Sequence, residues 1–204
     1  MWVILLLKLL VFDLGHVLID FEWMEVCYAF SERCVRPTHE ILEAFSRVGE
    51  LGYEKGKIST EDFLGQLNQM LGSDMSESEF RVLWNTSFRE NEAMADLLDG
   101  LKQSYELCLL SNTNQCHYEF IQESFDVERH FDNVVLSYEV GCAKPAREIY
   151  GAVVERVGVP AGQCLFIDDL EINVRAAMDF GMNAVLFTEP AKLRLDLTAH
   201  GINV

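Results

Sequence analysis

Basic residues are scarce in this chain. Its 204 residues include 16 Lys and Arg against 33 Asp and Glu, which gives a net charge of −17. A protein this acidic repels nucleic-acid phosphates and anionic lipid head groups, so we expect neither a nucleic acid nor a membrane as a partner. An anionic substrate would need a cation close to its binding site.

Cysteines at short spacing are also absent. The six cysteines are scattered along the chain and form no C-x-x-C pair. This pattern excludes a structural zinc site with clustered ligands and a short secreted disulfide framework. We therefore predict reduced, mostly buried thiols and a cytoplasmic location.

No hydrophobic run is long enough to span a bilayer. Residues 1–12 are nearly all apolar apart from Lys8, but a bilayer requires about 20 such residues. No basic region precedes this stretch, and no small-residue cleavage site follows it. We interpret it as a buried strand with an extra hydrophobic leader, rather than an export signal or an anchor.

What the chain does contain is a series of short apolar runs that end at polar residues. They lie at residues 9–12, 107–110, 134–136, 164–167 and 184–187. Such continuous runs indicate strands covered on both faces, as in a parallel sheet. Helix-length stretches at 146–157 and 173–180 each end at a glycine. The alternation predicts a doubly wound, Rossmann-like α/β core.

Residues 20–90 follow a different pattern. Four amphipathic stretches, at 23–30, 38–48, 59–71 and 76–84, predict helices, and strand-like runs are missing. Ser59 lies three residues before Asp62, so its hydroxyl can cap the third helix. We therefore predict an all-α cap over 20–90, inserted after the first strand of a core formed by 1–19 and 91–204. Such a chain is expected to be a monomer or a homodimer.

The residues that follow the apolar runs carry the chemistry. They are Asp13, the pair Ser111-Asn112 and the pair Asp168-Asp169, with Lys144 in a loop before a helix. In a parallel sheet the ligand crevice lies beyond the carboxyl ends of the strands, so these groups should meet at one edge. Carboxylate oxygens suit Mg²⁺, and Lys144 adds the positive charge that a phosphate needs.

Four segments together resemble a known family. They are F-D-L-G-H-V-L at 12–18, L-L-S-N-T-N at 109–114, K-P at 144–145 and F-I-D-D at 166–169. In this order they resemble the motifs of the haloacid dehalogenase superfamily, and the helical insertion resembles the cap found in many members. The D-x-G-[NH]-V pattern and S-N-T-N are most similar to bacterial sugar phosphatases, in particular those that act on alpha-D-glucose 1-phosphate.

The resemblance implies a role for each candidate residue. Asp13 would attack phosphorus and form an aspartyl-phosphate, which divides one difficult displacement into two easier ones. Ser111 and the backbone N–H of Asn112 would hold phosphate oxygens, and Lys144 would neutralise charge on the transferring group. The Mg²⁺ ligands would be Asp13, Asp168, Asp169 and the backbone carbonyl of Gly15.

The same resemblance exposes one departure. Most phosphatases of the superfamily carry a second aspartate two positions after the nucleophile, where it protonates the leaving group, and here that position is Gly15. General acid–base assistance is worth about 10²–10⁴ in rate. The substrate could carry a good leaving group, such as the anomeric oxygen of a sugar 1-phosphate, as in the glucose-1-phosphate phosphatases, which also have glycine there. His16 could instead replace the acid, or contribute to substrate selection near the cap.

We therefore expect a Mg²⁺-dependent phosphatase that acts on a small phosphorylated metabolite, with a sugar 1-phosphate favoured. One alternative is a 2-haloacid dehalogenase, which attacks carbon and needs no metal, so the pair Asp168-Asp169 argues against it. The other is a phosphate-binding or interaction protein derived from a weakened phosphatase. Its only support is Gly15.

Overall fold

The computed structural model describes residues 6–203. At its centre is a parallel sheet of five strands: β1 (Leu9–Phe12), β4 (Glu106–Ser111), β5 (Asn133–Leu136), β6 (Cys164–Asp168) and β7 (Asn183–Leu186). The strand order is β5-β4-β1-β6-β7, so the chain runs outward on one side of β1 and then on the other. A ligand crevice is expected where the strand order reverses in this way.

Each strand of the sheet centre is buried on both faces. In β1, Leu10 and Phe12 belong to one apolar cluster, while Leu9 and Val11 belong to a second cluster on the opposite face. The alternation follows from the two-residue period of a strand. This double burial explains why the strands appear in the sequence as uninterrupted apolar runs.

Helices cover the two faces of the sheet. They are α5 (Glu92–Lys102), α6 (Gln115–Ser124), α7 (Ser137–Val140), α8 (Arg147–Val157), α9 (Glu171–Phe180) and α10 (Pro190–Ala199). Both α8 and α9 end at a glycine in the left-handed conformation, Gly158 and Gly181. The predicted α/β fold class is therefore confirmed.

A second group of helices lies between β1 and β4. It comprises α1 (Trp23–Cys34), α2 (Thr38–Gly49), α3 (Thr60–Leu71) and α4 (Glu77–Trp84), with a 3₁₀ turn at Tyr53–Lys55. These helices share an apolar core of their own. Two short antiparallel strands, β2 (Ile19–Asp20) and β3 (Arg89–Glu90), connect the segment to the sheet domain. We call residues 20–90 the cap; this division of the chain remains a prediction.

The helix start predicted from Ser59 is observed. The Ser59 hydroxyl accepts a hydrogen bond from the Asp62 N–H at 3.0 Å, and the Asp62 carboxylate accepts one from the Ser59 N–H at 3.2 Å. Ser76 and Glu79 form the same reciprocal box at the start of α4. Helices α3 and α4 therefore begin one residue after the serines.

Other expectations concern the chain as a whole. All six cysteines are free, and four of them are buried. Within residues 6–203, no helix is long and apolar enough to cross a membrane. The proposed hydrophobic leader falls mostly on residues 1–5, which lie outside the described residues.

Candidate active site

Three strands place their terminal residues side by side. Phe12 of β1 pairs with Leu109 of β4 and with Ile167 of β6, so the next residue, Asp13, enters the space between those two strands. Asp168 ends β6 and Ser111 ends β4. The parallel register therefore brings together groups that are far apart in the sequence, as predicted.

Lys144 lies between two carboxylates in the buried part of this site. Its ammonium nitrogen is 2.6 Å from Asp13 Oδ1 and 2.7 Å from Asp168 Oδ2, and all three side chains are at most 10 % exposed. Burial lowers the pKa of Lys144, but the two carboxylates oppose this and the net shift is upward. Burial raises the pKa of Asp13 despite the attraction of Lys144.

A third carboxylate completes the acidic group. Oxygen atoms of Asp13, Asp168 and Asp169 lie within 4.8 Å of one another. Burial, followed by the nearby charge of Asp168, raises the pKa of Asp169, whereas His16 and Lys144 act in the opposite direction. Three carboxylates around a single lysine leave an excess of negative charge, and such hard oxygen donors fit Mg²⁺.

Hydrogen bonds fix Asp168 in its orientation. Its Oδ1 accepts hydrogen bonds from the Leu170 N–H at 2.8 Å and the Asn173 amide at 3.0 Å, and the same amide lies 3.2 Å from Oδ2. The carbonyl of Asn173 accepts a hydrogen bond from the Tyr150 hydroxyl at 2.9 Å. Two residues at the start of α9, Leu170 and Asn173, therefore hold the Asp168 side chain, which is fully buried.

Asn112 has a different role in the structure from that of a phosphate-binding side chain. Its amide donates to the Lys144 carbonyl at 2.9 Å and accepts from the Lys144 N–H at 2.8 Å. This two-way pairing attaches the Lys144 loop to the end of β4. The assignment made from the sequence concerned the Asn112 backbone N–H, and it remains a prediction.

Gly15 and His16 occupy the loop after β1. The φ angle of His16 is 55°, and its ring stacks on Phe21 with centroids 4.4 Å apart. His16 is exposed, and it does not belong to the described residues that line the cavity next to Ser111. The charge of His16 acts to lower the pKa of Asp169. Contact between His16 and the substrate remains a prediction.

Two cavities meet above this edge of the sheet. The inner cavity, about 90 Å³, is lined by Gly15, Ser111, Asn112 and Thr113 on the core side and by Phe21, Trp23 and Glu54 on the cap side, among others. The outer cavity, about 380 Å³, is lined by cap residues and by Asn114 of the core, and it shares Trp23 and Glu54 with the inner one. Half of its other lining residues are aromatic, namely Phe45, Tyr53, Phe63 and Trp84, and the rest are Leu42, Ser46, Gly49 and Asn114.

Sequence reasoning missed three of these contributors. Asn173 lies five residues after Asp168, a spacing that places it in the first turn of the helix that follows the motif and could have marked it. Phe21 directly follows β2, and no sequence pattern marked it as part of the site. Glu54 was one acidic residue among many, and only the folding of the cap brings it over the core. Phe45 and Tyr53 belong to the apolar core of the cap and also line the outer cavity.

Comparison with known proteins identifies the family. A model of the haloacid dehalogenase-like hydrolases matches residues 7–181. The chain belongs to this family. It is 30% identical over 203 residues to the D-ribitol-5-phosphate phosphatase of Bacteroides thetaiotaomicron, covering 95% of this chain and 98% of that protein. The chain is therefore a hydrolase of this family, and the relative that it matches over nearly its whole length is named as a phosphatase of a small phosphorylated metabolite.

Solved structures of relatives are consistent with magnesium as the metal. A haloacid dehalogenase family enzyme from Bacteroides thetaiotaomicron, in complex with magnesium and inorganic phosphate, matches with a TM-score of 0.77 and 30% identity, covering 89% of this chain and 94% of that one. This is consistent with a Mg²⁺ requirement in the hydrolase. The L-2-haloacid dehalogenase of Xanthobacter autotrophicus matches with a TM-score of 0.65 at 18% identity, covering 98% of this chain and 85% of that one, which shows a shared fold alone.

The expected likeness to glucose-1-phosphate phosphatases is not confirmed by these matches. The relative described above is named for ribitol 5-phosphate, which is an ester of a primary alcohol. The preference for a sugar 1-phosphate therefore remains a prediction, based on Gly15.

Proposed function

We propose that the protein hydrolyses phosphate monoesters through an aspartyl-phosphate formed on Asp13. The observation that carries this proposal is the contact of one buried ammonium group with both Asp13 and Asp168. A carboxylate beside a fixed cation can accept a phosphoryl group, because the cation offsets the charge brought in by the phosphate.

The first half of the reaction breaks the ester bond. A carboxylate oxygen of Asp13 attacks phosphorus, and the alcohol oxygen leaves with the electron pair of its bond to phosphorus. The Ser111 hydroxyl and the Asn112 N–H donate to phosphate oxygens, while Lys144 offsets their charge. In the second half, water attacks phosphorus and releases inorganic phosphate, which regenerates the Asp13 carboxylate.

The carboxylates of Asp13, Asp168 and Asp169, with the Gly15 carbonyl, would hold Mg²⁺. When bound, this ion supplies positive charge that draws the phosphate towards Asp13 and stabilises the oxygens around phosphorus. Asn173 and the Leu170 N–H keep Asp168 in the orientation for this role. Such supporting hydrogen bonds are a regular feature of metal sites.

Gly15 limits which esters react quickly. With no carboxylate at this position, the departing alcohol receives less help with its proton, so esters of more acidic alcohols should react faster. Sugar 1-phosphates belong to this class, so the preference for them remains a prediction that rests on Gly15 alone.

The test is phosphate release from a panel of monoesters in the presence of Mg²⁺. The panel should contain p-nitrophenyl phosphate, sugar 1-phosphates and sugar 6-phosphates. Acid-quenched samples should contain a phosphorylated peptide that includes Asp13, detectable by mass spectrometry, and Asp13→Asn should lose both this adduct and the turnover. Turnover by Asp13→Asn at the wild-type rate would contradict the nucleophile. Halide release from 2-haloacids without Mg²⁺ would instead support a dehalogenase.

A further inference from the structure

The outer cavity is lined by an acid. Among the described residues that line either cavity, Glu54 is the only Asp, Glu, Lys or Arg. Its carboxyl forms no hydrogen bond or ion pair within residues 6–203, and the neighbouring Lys55 acts on it only through its charge. Glu54 is exposed to solvent at the cavity, yet enough protein surrounds the carboxyl for burial to raise its pKa.

Aromatic rings form the adjoining wall. The centroids of Trp23 and Trp84 are 5.3 Å apart, those of Phe45 and Trp84 are 5.0 Å apart, and those of Trp23 and Phe45 are 6.2 Å apart. Trp84 is 4% exposed, and its indole N–H has no partner within the described residues. Faces of aromatic rings carry negative electrostatic potential and attract organic cations.

These walls suit some alcohols better than others. A polyol would bring several hydroxyl groups into a cavity where polar partners are few, and each unsatisfied group would lose hydrogen bonds with water. A second anionic group would face the Glu54 carboxylate with no lining cation to compensate. An alkylated ammonium group fits both the aromatic wall and the carboxylate, because its carbon surface contacts the rings and its charge is opposite to that of Glu54.

We propose that the alcohol part of the substrate carries an organic cation, which binds between Glu54 and the aromatic wall formed by Trp23, Phe45 and Trp84. This inference rests on the proposed phosphatase activity, and it names the substrate class. The two cavities adjoin, because Trp23 and Glu54 line both. The phosphate of the ester would lie in the inner cavity, beside Ser111 and Asn112, and its cation would lie in the outer one.

Two further observations agree with such a substrate. The net charge of −17 repels a purely anionic ester, whereas a zwitterionic ester carries less net negative charge. An ammonium group close to the ester oxygen also makes the alcohol more acidic. That effect assists its departure in a site where Gly15 provides no proton donor.

The experiment compares two esters of the same shape. Phosphocholine carries a trimethylammonium group. In 3,3-dimethylbutyl phosphate an uncharged tert-butyl group of the same shape takes its place. For the wild-type protein with Mg²⁺, kcat/KM should be about tenfold higher or more for phosphocholine. Glu54→Gln should reduce this ratio to near one, mainly by lowering kcat/KM for phosphocholine. Equal kcat/KM values for the two esters in the wild type would overturn the proposal.

The matched control is Glu32→Gln. Glu32 lies exposed on α1 of the same cap and lines neither cavity, so its removal changes the net charge equally. This variant should keep the wild-type preference. An equal loss in both variants would assign the preference to overall charge and would overturn the role of Glu54.

A binding measurement separates this proposal from the proposed function. Choline alone should change the tryptophan fluorescence of Asp13→Asn, because Trp23 and Trp84 line the outer cavity. The neutral analogue 3,3-dimethylbutanol should bind more weakly, and the added substitution Glu54→Gln should remove the difference. This result is expected even if no ester is hydrolysed, whereas equal binding of both alcohols would overturn the cation site while leaving phosphatase activity intact.

Discussion

A β-carbon added to Gly15 would lie 3.1 Å from Cε1 of Phe21. That distance is shorter than ordinary contacts between carbon atoms. The Phe21 ring stacks on His16, and its centroid lies 5.9 Å from those of Trp23 and Phe88. An aromatic ring therefore borders the position of the missing proton donor, and it would have to shift by a few tenths of an ångström to admit a β-carbon.

The first prediction concerns this contact. Gly15→Asp alone should not increase turnover, because Phe21 obstructs the new side chain. In a protein that also carries Phe21→Ala, the added aspartate should raise kcat for esters of poorly acidic alcohols by about tenfold or more, since general acid assistance is worth about 10²–10⁴. Rates for p-nitrophenyl phosphate should change little. Gly15→Ala is the control, because it adds the β-carbon without an acid.

Comparison of rates across alcohols of graded acidity measures this effect. The kcat of the double variant should depend less steeply on the acidity of the alcohol than the kcat of Phe21→Ala does. If Gly15→Asp alone gave the full gain, Phe21 would not be the obstacle.

The second prediction concerns Lys144. Lys144→Met removes the only cation in contact with Asp13 and Asp168 among the described residues, so these buried carboxylates would repel each other. Without Mg²⁺ the variant should lose about 3–5 kcal/mol of unfolding free energy, the usual cost of breaking a buried ion pair. Thermal denaturation with and without Mg²⁺ checks this, and Mg²⁺ should recover more stability in the variant than in the wild type. Lys192→Met, at an exposed surface pair, should be nearly neutral.

The third prediction concerns Asn173. Asn173→Leu has a similar volume but removes the amide hydrogen bonds to both oxygens of Asp168. Substitution of such supporting groups typically costs about 10–100-fold in metal affinity. The Mg²⁺ concentration needed for half-maximal activity should rise by this factor, while kcat at saturating Mg²⁺ changes less. An unchanged Mg²⁺ dependence would show that Asp168 does not need the Asn173 amide.

Part of this architecture can be predicted from the sequence, because the relevant signals are local. Strand β1 is a buried apolar run that ends at Asp13, and β6 is another that ends at Asp168. Parallel pairing then places both carboxylates at one edge without further information. The Ser59 cap is equally local, since its partner lies three residues away.

Other features depend on contacts between distant segments. The side chain of Asn112 pairs with the backbone of Lys144, 32 residues away, and nothing in either motif distinguishes this from a contact with phosphate. Glu54 faces the core only because the cap folds over it. The two-residue strands β2 and β3 are too short to leave a periodic pattern, so the connection between cap and core could not be predicted.

The last prediction concerns His117, which joins the core to the cap. Its Nδ1 lies 3.0 Å from the Asn114 amide nitrogen, and its Nε2 lies 3.2 Å from the carbonyl of Trp84. These contacts fit a neutral ring in which Nδ1 accepts and Nε2–H donates. Burial lowers the pKa of His117 from 6.5 to about 3, against the opposing effect of the Trp84 carbonyl.

The sign of the pH dependence follows from these values. Between pH 6.5 and about 3 the unfolded chain binds a proton that the folded ring does not, so this residue reduces stability as the pH falls below about 6.5. The loss should approach about 1.4 kcal/mol per pH unit. His117→Gln should unfold more easily at pH 7.5 but lose less stability between pH 7 and pH 5. The exposed His39→Gln should follow the wild type in denaturant titrations at each pH. Parallel curves for the wild type and His117→Gln would mean that His117 is protonated in the folded protein as readily as in the unfolded chain.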